Sequence, residues 1–143
     1  MVTCGKTAHG SMPDMGTNAV AHMNEIIHRM LGEEFELTYE EDDLLDGSTY
    51  SINVFNGGAN TNVVPDQCFV NIDIRTVPSQ DHNQIIDQID QIIQSTKGTY
   101  PDLNAEIRIL NDQTPVKTSS EDLLLNWYKT PLNPHVVQQH WGE

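Results

Sequence analysis

The sequence predicts an α+β fold, a ferredoxin-like (split βαβ) two-layer sandwich with two helices on one face of a four-stranded antiparallel sheet. Three observations lead there. Apolar residues recur three and four apart in two stretches, 19–31 and 85–93, the period of a helix with one buried face. They alternate with polar residues at 49–55, 67–76 and 105–109, the period of a half-buried strand. A short apolar opening adds a fourth strand, so the order is strand, helix, strand, strand, helix, strand. Right-handed crossovers in that order set the first and third strands side by side at the sheet centre, an arrangement that allows His9 and Arg75 to lie on neighbouring strand ends or loops.

The first strand falls within residues 1–8, with Val2 and Cys4 on one inward side, and its beginning is expected to lie upstream of Met1. A loop around Pro13 and Gly16 follows. The first helix carries the stripe Ala19, Val20, Met23, Ile26, Ile27, Met30 and Leu31, with Thr17 as the expected cap and Gly32 as the stop. Residues 33–46 hold eight acids interleaved with Phe35, Leu37, Tyr39, Leu44 and Leu45. No calcium-loop spacing appears, so this is a solvated connector, and the alternation of Phe35, Leu37 and Tyr39 allows a short edge strand.

The second strand sets Tyr50, Ile52 and Val54 against Thr49, Ser51 and Asn53. The third buries Cys68, Val70, Ile72 and Ile74 and turns Asn71, Asp73 and Arg75 the other way. After Pro78, with Ser79 expected to cap it, the second helix presents Ile85, Ile86, Ile89, Ile92 and Ile93 and closes at Lys97 and Gly98. Ala105, Ile107 and Ile109 form the last strand. From Gln113 onward, prolines and serines break the pattern. The expected division is a ferredoxin-like domain over 1–118 and a tail, or the start of a returning domain, over 119–143.

At 143 residues the chain holds a single core. A formal charge of −14 repels nucleic acid and anionic lipid, and no apolar run is long enough to span a bilayer. The expected setting is cytoplasmic, without nucleic-acid or membrane partners. Cys4 and Cys68 are expected as buried, reduced thiols.

Two stretches carry candidate chemistry. Residues 5–13, Gly-Lys-Thr-Ala-His-Gly-Ser-Met-Pro, put His9 in a turn of small residues, where an accessible imidazole can donate to a carbonyl oxygen or developing oxyanion. A lone loop histidine is otherwise a surface residue. Residues 57–66 form a polar loop in which Asn60 and Asn62 offer amide donors and acceptors, or serve only the turn itself. The strand after it ends in Arg75, able to grip a carboxylate with two parallel hydrogen bonds or to pair with a surface acid such as Asp73. His22, His28, His82, His135 and His140 do not stand with acids at zinc-site spacings.

These two stretches, together with Gly16 to Ala19 and the run to Pro78, closely resemble the zinc-dependent amidohydrolase family of succinyl-diaminopimelate desuccinylase, acetylornithine deacetylase and carboxypeptidase G. The similarity covers residues 1–118, the family's dimerisation or lid domain. The resemblance implies that His9 reaches a partner subunit's active site and polarises the scissile amide carbonyl. It implies that Asn62 contacts substrate, that Arg75 holds the substrate carboxylate, and that Gly57 and Gly58 let backbone approach. Asn60 and Thr61 match more loosely. It also implies a homodimer, a small carboxylate-bearing substrate, and zinc bound by a catalytic domain of the same protein. The family's zinc ligands and general base are absent from this sequence, so the chain by itself is expected to bind no metal and to be inactive. The alternative is a free-standing ferredoxin-like regulatory module binding a small acidic ligand. An acylphosphatase-like enzyme would need a phosphate-cradling loop that residues 5–13 do not supply.

Overall fold

The computed structural model describes residues 1–39 and 47–115. The tail 119–143, with His135 and His140, and the acidic residues 40–46 lie outside the described residues. Among the described residues, six strands and two helices follow in the order β1 (Val2–Cys4), β2 (Ala8–His9), a 3-10 turn (Pro13–Met15), α1 (Ala19–Leu31), β3 (Thr49–Gly57), β4 (Val63–Val64), β5 (Gln67–Arg75), α2 (His82–Thr99) and β6 (Asn104–Glu106). The main sheet is ordered β3-β5-β1-β6 with antiparallel neighbours. This is the split βαβ order, with β1 and β5 central.

Both helices lie on one face. Met23, Ile26 and Met30 of α1 are fully enclosed, and they pack with Ile85, Ile89, Ile92 and Ile93 of α2 and with Cys68 and Val70 of β5. The helical stripes are therefore the core, except that Leu31 is exposed and Ile86 is only half-buried and outside it.

Several local expectations shift. Thr3, not Val2 or Cys4, faces the helices: it is completely buried and its hydroxyl donates to the Ala19 carbonyl at 2.8 Å. Cys4 is exposed, whereas Cys68 is buried, and both are free thiols. The cap of α1 is Asn18, whose side-chain oxygen accepts from the Val20 and Ala21 backbone N–H groups. Thr17 instead donates to Asp102. Asp81 rather than Ser79 caps α2, which runs past Gly98 to Thr99. No strand forms over 33–39, where Phe35 turns inward and meets Tyr50 edge-on at 5.0 Å.

The alternation of β3 breaks midway. Ile52 pairs with Ile72 but Val54 pairs with Asn71, so Asn53 is an extra residue and the side chains swap faces beyond it. Val54 thereby leaves the core face and is exposed, as is Phe55 at the sheet edge. β6 ends before Ile107, which still packs on the core, while Ile109 is exposed.

A candidate substrate-positioning site

β1 runs on into a second, two-stranded sheet that sequence periodicity does not reveal. Gly5 N–H donates to the Asp66 carbonyl at 2.7 Å, Ala8 and His9 pair with Val64 and Val63, and Gly10 N–H donates to the Asn62 carbonyl at 2.7 Å. The turn carrying His9 is thus laced to the loop carrying Asn60, Thr61 and Asn62. All four residues are exposed. The Lys6–Thr17 bridge, with backbone bonds of 2.9 Å in both directions, ties this arm to the entry of α1.

Gly57 and Gly58 open the loop for different reasons. A Cβ on Gly57 would lie 2.6 Å from Val20 Cγ2, and Gly58 takes φ +78°, a backbone region that side chains rarely occupy. The buried Cys68 thiol lies behind Gly57, and burial pushes its pKa up.

His9 is held by its neighbour. The Ser11 backbone N–H donates to His9 Nδ1 at 3.2 Å, and Ser11 Oγ sits 2.8 Å from the same nitrogen. The turn closes through Met12 N–H to the His9 carbonyl at 2.8 Å. Ser11 was invisible as a partner in the sequence because nothing marks a side chain that folds back on the amide two residues later.

Arg75 does not join this group. Antiparallel pairing sets the end of β1 against the start of β5, with Cys4 opposite Gln67, whereas Arg75 closes β5 opposite Thr49. His9 and Arg75 therefore stand at opposite ends of a nine-residue strand, roughly 27 Å of extended backbone. This corrects the expectation that they share neighbouring strand ends. Arg75 is 77% exposed and its Nε donates to Asp73 at 2.7 Å.

Arg75 borders a groove of about 700 Å³ lined by Ile74, Thr76, His82, Ile85, Ile107 and Asp112 among others. There His82 stands between Thr76 Oγ1, 2.9 Å from Nε2, and Asp112 Oδ1, 2.5 Å from Nδ1. His22 approaches Asp102 at 3.6 Å. Each histidine thus has one acidic neighbour, and no group of three or more metal-ligating side chains forms among the described residues. Those residues do not fit zinc.

Residues 2–101 match the sequence family described as the peptidase dimerisation domain. The chain belongs to that family. Curated relatives of this dimerisation domain include an acetylornithine deacetylase from Myxococcus xanthus, 27% identical over 82% of the chain and 32% of that protein. A probable succinyl-diaminopimelate desuccinylase from Staphylococcus epidermidis is 29% identical over 94% of the chain and 38% of that protein. The dimerisation domain therefore spans about a third of the length of these relatives. Among solved structures, a tripeptidase from Staphylococcus aureus superposes with a TM-score of 0.58 at 24% identity, over 87% of the chain and 31% of that structure. A metallo-carboxypeptidase from Sulfolobus solfataricus gives 0.61 at 17% identity, over 87% and 40%. At such identities these superpositions bear on the fold alone. No helix among the described residues is long and apolar enough to cross a membrane.

Proposed function

We propose that this domain pairs two subunits of a zinc-dependent amidohydrolase and positions a substrate whose N-acyl amide or peptide bond lies beside a free carboxylate. The observation that carries the reading is the free edge of β3 together with the separation of His9 from Arg75. β3 is the outer strand of the sheet and pairs only with β5 among the described residues. Nine residues of unpaired edge, with Val54 and Phe55 exposed, are a template for a second strand.

Two copies related by a two-fold axis would join β3 to β3 in antiparallel fashion. The Thr49 end of the partner's β3 then lies beside the Gly57 end of the first. Because Arg75 pairs with Thr49 and the His9 arm adjoins the start of β5, Arg75 of the partner subunit comes to the end that carries His9 and Asn62. Three strand spacings, roughly 14 Å, separate the two β5 strands. One chain cannot bring these groups together, whereas a pair brings them to each end of the joined sheet.

In this arrangement His9 donates to the scissile carbonyl oxygen, strengthening as negative charge develops there. Asn62 orients the substrate, with Asn60, Thr61, Gly57 and Gly58 shaping the loop around it, and Arg75 exchanges Asp73 for the substrate carboxylate. Zinc and the general base would belong to a catalytic domain in the same cytoplasmic protein, and this chain alone would hydrolyse nothing.

Subunit mixing tests the reading. In an enzyme carrying this domain, His9→Ala and Arg75→Ala should each abolish efficient turnover. Equal mixing with subunit exchange should restore about a quarter of native activity, because half the dimers then hold one intact site. Recovery of none would place His9 and Arg75 in the same subunit's site, or outside the site, and overturn the arrangement.

A further inference from the structure

From the contacts around the imidazole we infer that Ser11 is a positioning residue that fixes the tautomer of His9, so that the ring carries its proton on Nε2 and presents it outward. The consequence for catalysis rests on the reading of His9 as a carbonyl-oxygen donor. The tautomer itself does not.

A backbone N–H can only donate, so the Ser11 amide at 3.2 Å from Nδ1 requires the lone pair of a deprotonated nitrogen there. The Ser11 hydroxyl, 2.8 Å from the same atom, then also acts as a donor. In the neutral ring the proton is left on Nε2. Nε2 has no partner among the described residues, and His9 is exposed. The bond that sets this state is short in sequence and is braced on both sides. Met12 N–H closes the turn onto the His9 carbonyl, and Gly10 N–H anchors it to Asn62. A ring protonated on Nδ1 would turn an N–H toward the Ser11 N–H and lose that bond, keeping only a contact in which the Ser11 hydroxyl oxygen accepts, and it would present a lone pair where a carbonyl oxygen needs a donor. Ser11 therefore selects which chemistry His9 offers without touching substrate.

The test is a long-range 1H–15N spectrum of the 15N-labelled chain with its histidines neutral, His9 being assigned by its loss in His9→Gln. The ratio of Nε2–H to Nδ1–H is compared with that in an unfolded peptide of residues 5–13. A tautomer bias about fivefold above the peptide is expected from one net hydrogen bond. Ser11→Ala, which keeps the amide donor, should retain most of the bias, and Ser11→Pro, which lacks an N–H, should return to the peptide ratio. A wild-type ratio equal to the peptide's, or a folded Ser11→Pro variant with its bias intact, overturns the inference. Should Ser11→Pro not fold, the wild type and Ser11→Ala against the peptide decide. An enzyme indifferent to His9→Ala would instead sink the catalytic reading and leave the ratio unchanged.

Discussion

Gly5 is the joint on which the His9 arm depends, and replacing it with alanine should be severe. A Cβ there would lie 2.0 Å from the Thr17 carbonyl oxygen, 3.0 Å from the Thr17 carbonyl carbon and 3.1 Å from the Ala19 nitrogen. All three are backbone atoms, so no side chain can swing aside. Relief requires the strand to withdraw from Thr17 by more than 1 Å to reach ordinary contact, roughly 3.4 Å or more. That movement breaks the two 2.9 Å bonds of the Lys6–Thr17 bridge. At about 1 kcal/mol net per bond and about 1 kcal/mol of residual overpacking, Gly5→Ala should cost about 3 kcal/mol. Stiffening of the unfolded chain returns less than about 1 kcal/mol. Urea unfolding followed by circular dichroism measures this, and the melting temperature should fall by about 7–10 °C. Gly98→Ala is the control of opposite sign: no atom lies within 4 Å of its Cβ position inside α2, so it should be neutral or stabilise by up to about 1 kcal/mol. A Gly5→Ala change within about 0.5 kcal/mol of the parent would show that the arm is not held as described.

Asn18→Ala should lose about 1 kcal/mol through the cap of α1, and Thr17→Ala less, since the Thr17 hydroxyl donates only to the exposed Asp102; equal costs would mean that the cap is misassigned. Thr3→Val should also cost about 1 kcal/mol, because it removes a fully buried donor while the Ala19 carbonyl keeps its helical partner; an unchanged midpoint in urea would count against that bond. With a thiol reagent, Cys4 should react in the native state and Cys68 only on unfolding; two rapid equivalents would contradict the burial of Cys68. Its raised folded-state pKa stabilises the fold fully below the ordinary thiol value of 9.0 and is lost as pH rises through the higher folded value. Alkaline unfolding should therefore ease in Cys68→Ser less steeply than in the parent, compared as slopes of stability against pH above 9.

The two helices were legible because their apolar period runs uninterrupted over 19–31 and 85–93, about three and a half and two and a half turns, and β5 because its alternation survives intact from Cys68 to Ile74. Their order then determined the sheet. What escaped were features too short to have a period. A three-residue β1 has no phase of its own, and hydrophobicity alone chose Val2 and Cys4 over Thr3, whose hydroxyl is satisfied by the Ala19 carbonyl. Two-residue β2 and β4 are too short to show a period, and they depend on glycines that let backbones approach, Gly10 against Asn62 and Gly5 against Thr17. The extra Asn53 reversed the faces of β3 with no local mark. At the site, His9 and the Asn60–Asn62 loop were named from sequence and do lie together. Arg75 was named but misplaced, because antiparallel neighbours meet end to start, so residues at the ends of both strands are driven apart.

The central claim is that β3 is the seam between two copies. Sedimentation equilibrium of the isolated 143-residue chain should give a dimer at micromolar concentration, tightened by added salt because each copy carries −14 formal charge. Phe55→Lys, which places charge on the exposed edge strand, should give a folded monomer. A parent that sediments as a monomer at every concentration and salt, or a Phe55→Lys variant that dimerises as tightly as the parent, would contradict it.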